Sequence, residues 1–203
     1  MSVKDQKAAL RLTAKAQRKA ARAAAGGHVP ERLAQLLLDH ADALGIRGDD
    51  IIAGYWAMAD EIDVIPAMVA LRDAIGVQCA LPVVAEKNAP LVFRAWQPGD
   101  ALESGGFGTH HPYPDAPDVT PDILLVPLLA FDMEGYRMGW GGGFYDRTLA
   151  HLRASRRAVT SIGIAYAGQQ FDAVIHDRYD QPMDWIATEQ WVCRIVDDKA
   201  EPS

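Results

Sequence analysis

The sequence predicts an α/β protein: a three-layer α/β/α single domain, residues 1–203, with a mostly parallel sheet. Short apolar, β-branched runs alternate with stretches of helical periodicity along the whole chain. Glycines punctuate the ends of those helical stretches, at Gly26, Gly45 and Gly76. The chain has 203 residues, 49% hydrophobic and 23% charged, which is ordinary composition for one core. At this length roughly 70% of the unfolded surface can be buried, so neither disulfides nor a structural metal are needed for folding.

Residues 4–25 are rich in Ala, Leu, Lys and Arg, without Gly or Pro, and predict a basic helix ending near Gly26 and Gly27. A second helix is expected over 30–44, with Pro30 at its start, Leu33, Leu36 and Leu37 on one face and Gly45 as its stop. Residues 51–56 predict a buried strand, 65–75 a helix closed by Gly76, and 77–84 another strand, which together imply a parallel crossover. A third strand is expected over 91–96. Residues 97–121 are crowded with Gly, Pro, Asp and His, lack periodicity, and predict an irregular loop. Strands over 123–126, 159–165 and 191–196, with a helix over 144–152, complete the pattern. Asp122 and Asp132 border the fourth strand as turn caps.

Charge is unevenly spread. Residues 1–25 carry seven Lys or Arg against only Asp5, a local sum of +6 on a chain of net −7, so the remainder carries −13. An acidic body opposes a general nucleic-acid binder, and a basic helix on it suits an anionic ligand. Lys7, Arg11, Lys15, Arg18 and Arg22 recur at spacings of three and four, along one helix face. Such a stripe by itself reads as a solvated face. A mitochondrial presequence is similarly basic but richer in Ser, and a secretory signal needs an apolar segment that is missing here, so the expected setting is cytoplasmic. The longest apolar run, 123–131, has nine residues and contains Pro127, about half the length a membrane helix requires. Cys79 and Cys193 lie far apart and read as buried, reduced thiols. His28, His40, His151 and His176 are scattered and read as surface or cap residues.

The most unusual segment is Arg137-Met138-Gly139-Trp140-Gly141-Gly142-Gly143-Phe144-Tyr145-Asp146-Arg147, with four glycines in five positions between a strand and a helix. Glycines admit close backbone approach, and the helix start beyond them presents unpaired N–H groups to an anion: a phosphate cradle, or more simply a glycine-rich turn. It is neither a P-loop nor the dinucleotide G-x-G-x-x-G. Arg137 can pair with a phosphate in bidentate fashion, and Asp146 can face Mg2+ on the same phosphates. One carboxylate holds Mg2+ poorly, and a second is available in 176–184, which otherwise reads as an acidic surface turn.

Here the sequence resembles the 5-formyltetrahydrofolate cyclo-ligase family, also called 5,10-methenyltetrahydrofolate synthetase. The family's long signature runs from a strand-ending Pro through Phe-Asp-x-x-Gly-x-Arg to Gly-x-Gly-x-Gly-aromatic-Tyr-Asp, and it is matched from Pro127 to Asp146. Lys7 and Arg11 match an N-terminal Lys-x-x-x-Arg. Tyr55, Trp56, Asp60, Glu61 and Ile62 match an aromatic strand leading to Asp-Glu-Ile, and Asp180, Asp184, Ile186 and Thr188 match a closing motif. The resemblance implies that Lys7, Arg11, Arg137, Met138, Gly139, Trp140, Gly141, Gly142, Gly143, Phe144 and Tyr145 contact ATP, with Arg137, Lys7 and Arg11 catalytic. It implies that Asp146 and Asp180 hold Mg2+. The folate substrate is then expected against Trp56, Glu61 and the arc Trp140, Gly141, Gly142, Gly143 and Phe144, with Arg11 close to both ligands. A monomer without nucleic-acid or membrane partners is implied. The family's short Glu-Pro signal is here His111-Pro112, and neither His110 nor His111 receives a role. A paralogue that keeps the nucleotide cradle but acts on another substrate, or none, is the alternative reading; a basic-armed RNA-binding protein is a third.

Overall fold

The computed structural model describes residues 2–155 and 158–196. The expected domain bounds, 1–203, thus include positions 1, 156–157 and 197–203, which lie outside the described residues.

The basic helix forms as α1 (Val3–Ala25), opened by a capping box between Ser2 and Asp5. The second helix is split: α2 (Val29–Asp39) stops at His40, whose Nδ1 and backbone N–H both share the Leu36 carbonyl, and α3 (Ala41–Leu44) is a short turn beyond it. Strand β1 (Ile51–Ala53) is shorter than expected, because Gly54 is pressed against Met68 and the chain turns away there. Helix α4 (Ile65–Ile75) ends on left-handed Gly76, and β2 (Gln78–Val83) returns parallel to β1. Strand β3 (Val92–Ala95) then runs antiparallel to β2.

The segment 97–121 is not an irregular loop. It holds β4 (Leu102–Ser104), β5 (His110–Pro112) and β6 (Asp118–Val119); the first two pair as a hairpin and the third adds to β3. Strands of two or three residues are too short to show periodicity in sequence. Strand β7 (Ile123–Pro127) leads to a small hairpin, β8 (Ala130–Phe131) and β9 (Arg137–Met138). Helix α5 (Phe144–Ala154), β10 (Thr160–Ile164), β11 (Trp185–Ala187) and β12 (Val192–Arg194) complete the described chain. β11 was not foreseen.

The main sheet has the order β12-β11-β10-β7-β1-β2-β3-β6, with its five central strands parallel and antiparallel strands at both edges. Alternate residues of the central strands enter opposite cores, as a sheet buried on both faces requires. Ile52 and Leu125 pack with α2 and α4, whereas Ala53, Leu124 and Val126 pack with Leu149 and Leu152 of α5. The α/β/α layering and the mostly parallel sheet are therefore as expected. Asp122 and Asp132 are structural: Asp122 Oδ2 accepts the Ile51 N–H, and Asp132 accepts the N–H groups of Glu134, Tyr136 and Val174. Cys79 is buried, but Cys193, on an edge strand, is only half-buried. Among the described residues no helix is long and apolar enough to cross a membrane.

Candidate active site

The glycine segment links β9 to α5, with Gly143 as the residue before the helix and the first-turn N–H groups of α5 beyond it. Gly141 and Gly143 adopt left-handed backbone (φ +99° and +66°), which favours glycine. Space is also tight at both positions: a Cβ on Gly141 would lie 3.2 Å from Arg11 Cζ, and one on Gly143 would lie 2.8 Å from Arg147 Nη1, so an arginine head would have to shift. Arg147 fastens the loop from behind by donating to the Gly142 carbonyl (2.8 Å) and the Ala89 carbonyl (3.2 Å).

The basic stripe of α1 is engaged by neighbouring segments along its length, although Lys15 and Arg22 remain exposed. Lys7 donates to Asp177 (2.8 Å) and Asp180 (2.5 Å), and Arg11 Nε donates to the Gly139 carbonyl (3.0 Å). Lys15 and Arg18 stand against the Trp140 ring, at 4.6 and 5.1 Å from its centroid. Arg22 holds Asp60 (2.7 Å) and the Ala59 carbonyl (3.0 Å). Between these charges, Ala14 is buried and Gln17 donates to the Gly168 carbonyl (2.8 Å), so the helix face that sequence spacing defines is a docking face. Lys15 and Arg18 were not singled out from sequence; their places at four and seven residues beyond Arg11 were the available signal.

Glu61 sits beneath the loop with its side chain only 3% exposed. Its Oε2 accepts the Met58 N–H (2.8 Å), and its Oε1 accepts Trp140 Nε1–H (2.9 Å) and, more weakly, Arg18 Nη1 (3.4 Å). Trp140 is itself 43% exposed, so this bond lies at the mouth of the site. Burial, reinforced by the charge of Glu61, pushes the phenols of Tyr55 and Tyr145 up. Trp56 is half-buried, with its ring 5.0 Å from that of His110. Met138 differs from its neighbours: its side chain is buried with Leu129 and Val174, and its carbonyl accepts the Leu129 N–H (2.7 Å).

Arg137 points inward. Its guanidinium donates to Asp146 Oδ1 (2.7 Å) and the Gln181 carbonyl (2.6 Å), and Gln181 N–H donates back to Asp146 Oδ1 (3.1 Å). This loop joins Asp146 to Asp180, the residue before Gln181. Burial alone pulls the Lys7 amine down, but its hydrogen bonds to Asp177 and Asp180 and their charges outweigh that and leave it raised. The bonds from Lys7 and from the Tyr179 N–H hold Asp177 below the usual carboxylate range. Among the described residues no three His, Cys, Asp or Glu side chains form a metal cluster. Asp146 Oδ2 and Asp180 Oδ1, however, accept no hydrogen bond among the described residues, and a Mg2+ carried on phosphates needs only one or two carboxylates. The donor set fits that mode of binding.

The sequence matches the family described as 5-formyltetrahydrofolate cyclo-ligase over residues 3–189. The chain belongs to this family. The cyclo-ligase of Escherichia coli (strain K12) is 32% identical over 142 residues, 68% of this chain and 76% of that one. The Haemophilus influenzae cyclo-ligase is 36% identical over 97 residues, 46% of this chain and about half (51%) of that relative's length. Among solved structures, the Aquifex aeolicus 5,10-methenyltetrahydrofolate synthetase superposes with a TM-score of 0.68 at 24% identity, covering 94% of this chain and 96% of that one. The Mycoplasma pneumoniae 5,10-methenyltetrahydrofolate synthetase gives 0.63 at 22%, covering 87% and 98%. At these identities the two structures establish the cyclo-ligase fold.

Proposed function

We propose that this cyclo-ligase family member converts 5-formyltetrahydrofolate to 5,10-methenyltetrahydrofolate with consumption of ATP and release of ADP and phosphate. The observation that carries the reading is the bond from Trp140 to Glu61: the glycine loop that would cradle phosphates delivers a ring N–H donor to a buried carboxylate. A ring N–H bound to this carboxylate supports the reading that Glu61 would accept the amino and N–H edge of a pterin. Trp56, five residues before Glu61, would supply a ring face.

The formyl oxygen on N5 is amide-like and a poor leaving group. Transfer of the γ-phosphoryl group to that oxygen releases ADP and leaves an iminium phosphate. N10 attacks the formyl carbon, the C–O bond breaks, and phosphate departs with the N10 proton as the five-membered ring closes. No protein nucleophile is needed, so the protein contributes alignment and charge. Arg11 and Lys7 lie on the face of α1 that covers the loop, and the first-turn N–H groups of α5 supply donors to phosphate oxygens. Mg2+ held by Asp146 and Asp180 would neutralise phosphate charge. Arg137 acts one step back, by orienting Asp146 and the Gln181 turn.

The test is to mix the purified chain with MgATP and 5-formyltetrahydrofolate and follow the methenyl chromophore beside ADP, omitting each component in turn. Stoichiometric methenyl product and ADP, abolished without ATP or Mg2+, is the expected result. ATP hydrolysis without methenyl product would redirect the site to another acceptor.

A further inference from the structure

Strand β5 carries His110 to the Trp56 side of the site, on a hairpin tied to β3 by the bond from Arg94 Nη1 to the Pro112 carbonyl (3.0 Å). The imidazole packs on the Trp56 ring at 5.0 Å with a 47° tilt. Its Nδ1 is buried and has no hydrogen-bond partner. Nε2 has none among the described residues either, but it is not enclosed. An unpaired buried polar atom is costly and so calls for an explanation. A proton on Nδ1 would be a sealed donor facing no acceptor, which favours the tautomer with the proton on Nε2. The result is an unpartnered donor at the edge of an aromatic platform.

We propose that His110 is a further substrate-binding and specificity residue, donating Nε2–H to the ring carbonyl of the pterin that lies on Trp56. This rests on the folate reading above. Glu61 can only accept, so it selects the amino and N–H edge; a pterin also carries a carbonyl, and His110 brings to the site the donor which that group requires. A 4-amino group in place of the carbonyl would oppose donor to donor.

The test compares the parent chain with His110→Phe, which keeps a ring against Trp56 but no donor, and His110→Gln, which keeps an N–H donor. Each is titrated calorimetrically with 5-formyltetrahydrofolate and with its 4-amino-4-deoxy analogue, beside a thermal melt. The parent should prefer the carbonyl ligand. His110→Phe should bind that ligand about three- to tenfold more weakly and the 4-amino analogue as tightly as before or more so, with His110→Gln largely restoring the preference. A ratio of the two affinities unchanged in His110→Phe overturns the proposal, even if both ligands bind more weakly. A parent that binds 5-formyltetrahydrofolate but shows the same ratio as His110→Phe sinks only the role of His110, whereas a parent that neither binds nor turns over 5-formyltetrahydrofolate removes the folate reading first.

Discussion

Both oxygens of Glu61 are engaged within the protein, one by the Met58 N–H and the other by Trp140. A folate that uses the Oε1 side of Glu61 competes with the Trp140 bond, and the half-exposed indole makes that exchange accessible. Trp140→Phe is expected to lower KM for 5-formyltetrahydrofolate about three- to tenfold, the worth of roughly 1 kcal/mol of competing hydrogen bond, which steady-state kinetics measures. An unchanged KM would show that the indole does not compete. Arg137 presents a different balance. Its side chain is 5% exposed and paired with Asp146 and the Gln181 carbonyl, so it supports the fold as well as the site. Arg137→Ala leaves that carboxylate without its cation and is expected to cost about 2–3 kcal/mol in a denaturant melt, in addition to any loss of activity.

At the scale of elements, α1 joins an apolar contact through Ala14 and Leu10 to a set of charged contacts through Lys7, Arg18 and Arg22. Lys7 has a raised pKa, so its contribution to docking is complete below the ordinary lysine value and fades as pH rises past it. Asp177 has a lowered pKa, so its contribution is complete above the ordinary aspartate value and fades as pH falls through the lowered one. The thermal midpoint should thus decline below about pH 4 and above about pH 10, and Lys7→Met should flatten the alkaline limb. The glycine loop beneath α1 is limited by space. Gly141→Ala imposes a side chain on left-handed backbone and pushes on Arg11, at about 1–2 kcal/mol of strain. KM for ATP should rise several-fold more than KM for the folate, and equal changes in both would place the disturbance elsewhere.

For the whole molecule, the five central parallel strands are buried on both faces, so their opening is expected to require global unfolding. Cys79 on β2 reports on this, since it is 5% exposed and burial raises its thiol to about 11. One thiol, Cys193 on the edge strand, should alkylate readily in the native protein. Cys79 should react only at denaturant concentrations that unfold the chain, and early labelling of both would mean that the sheet opens locally. The layered fold was legible because β2, β7 and β10 at its centre are long enough to show apolar runs and alternate with helices. The hairpin of β4 and β5, the small β8–β9 hairpin and β11 were not, since each strand holds only two or three residues and is defined by its pairing.

The candidate site divides in the same way. Local chemistry was sufficient to mark the glycine loop, because four glycines between a strand and a helix start have a backbone consequence that needs no partner. It also marked Asp122 and Asp132 as turn residues, and it defined the basic face of α1 by spacing alone. What that face covers could not be read from the chain, because a charged stripe looks the same toward solvent as toward a carboxylate loop. The pairings of Arg137 with Asp146, Trp140 with Glu61 and Trp56 with His110 join residues 9, 79 and 54 positions apart. Side-chain direction and distance across such separations exist only once the sheet has closed, and they decide which charges anchor the loop and which polar groups stay free for a ligand.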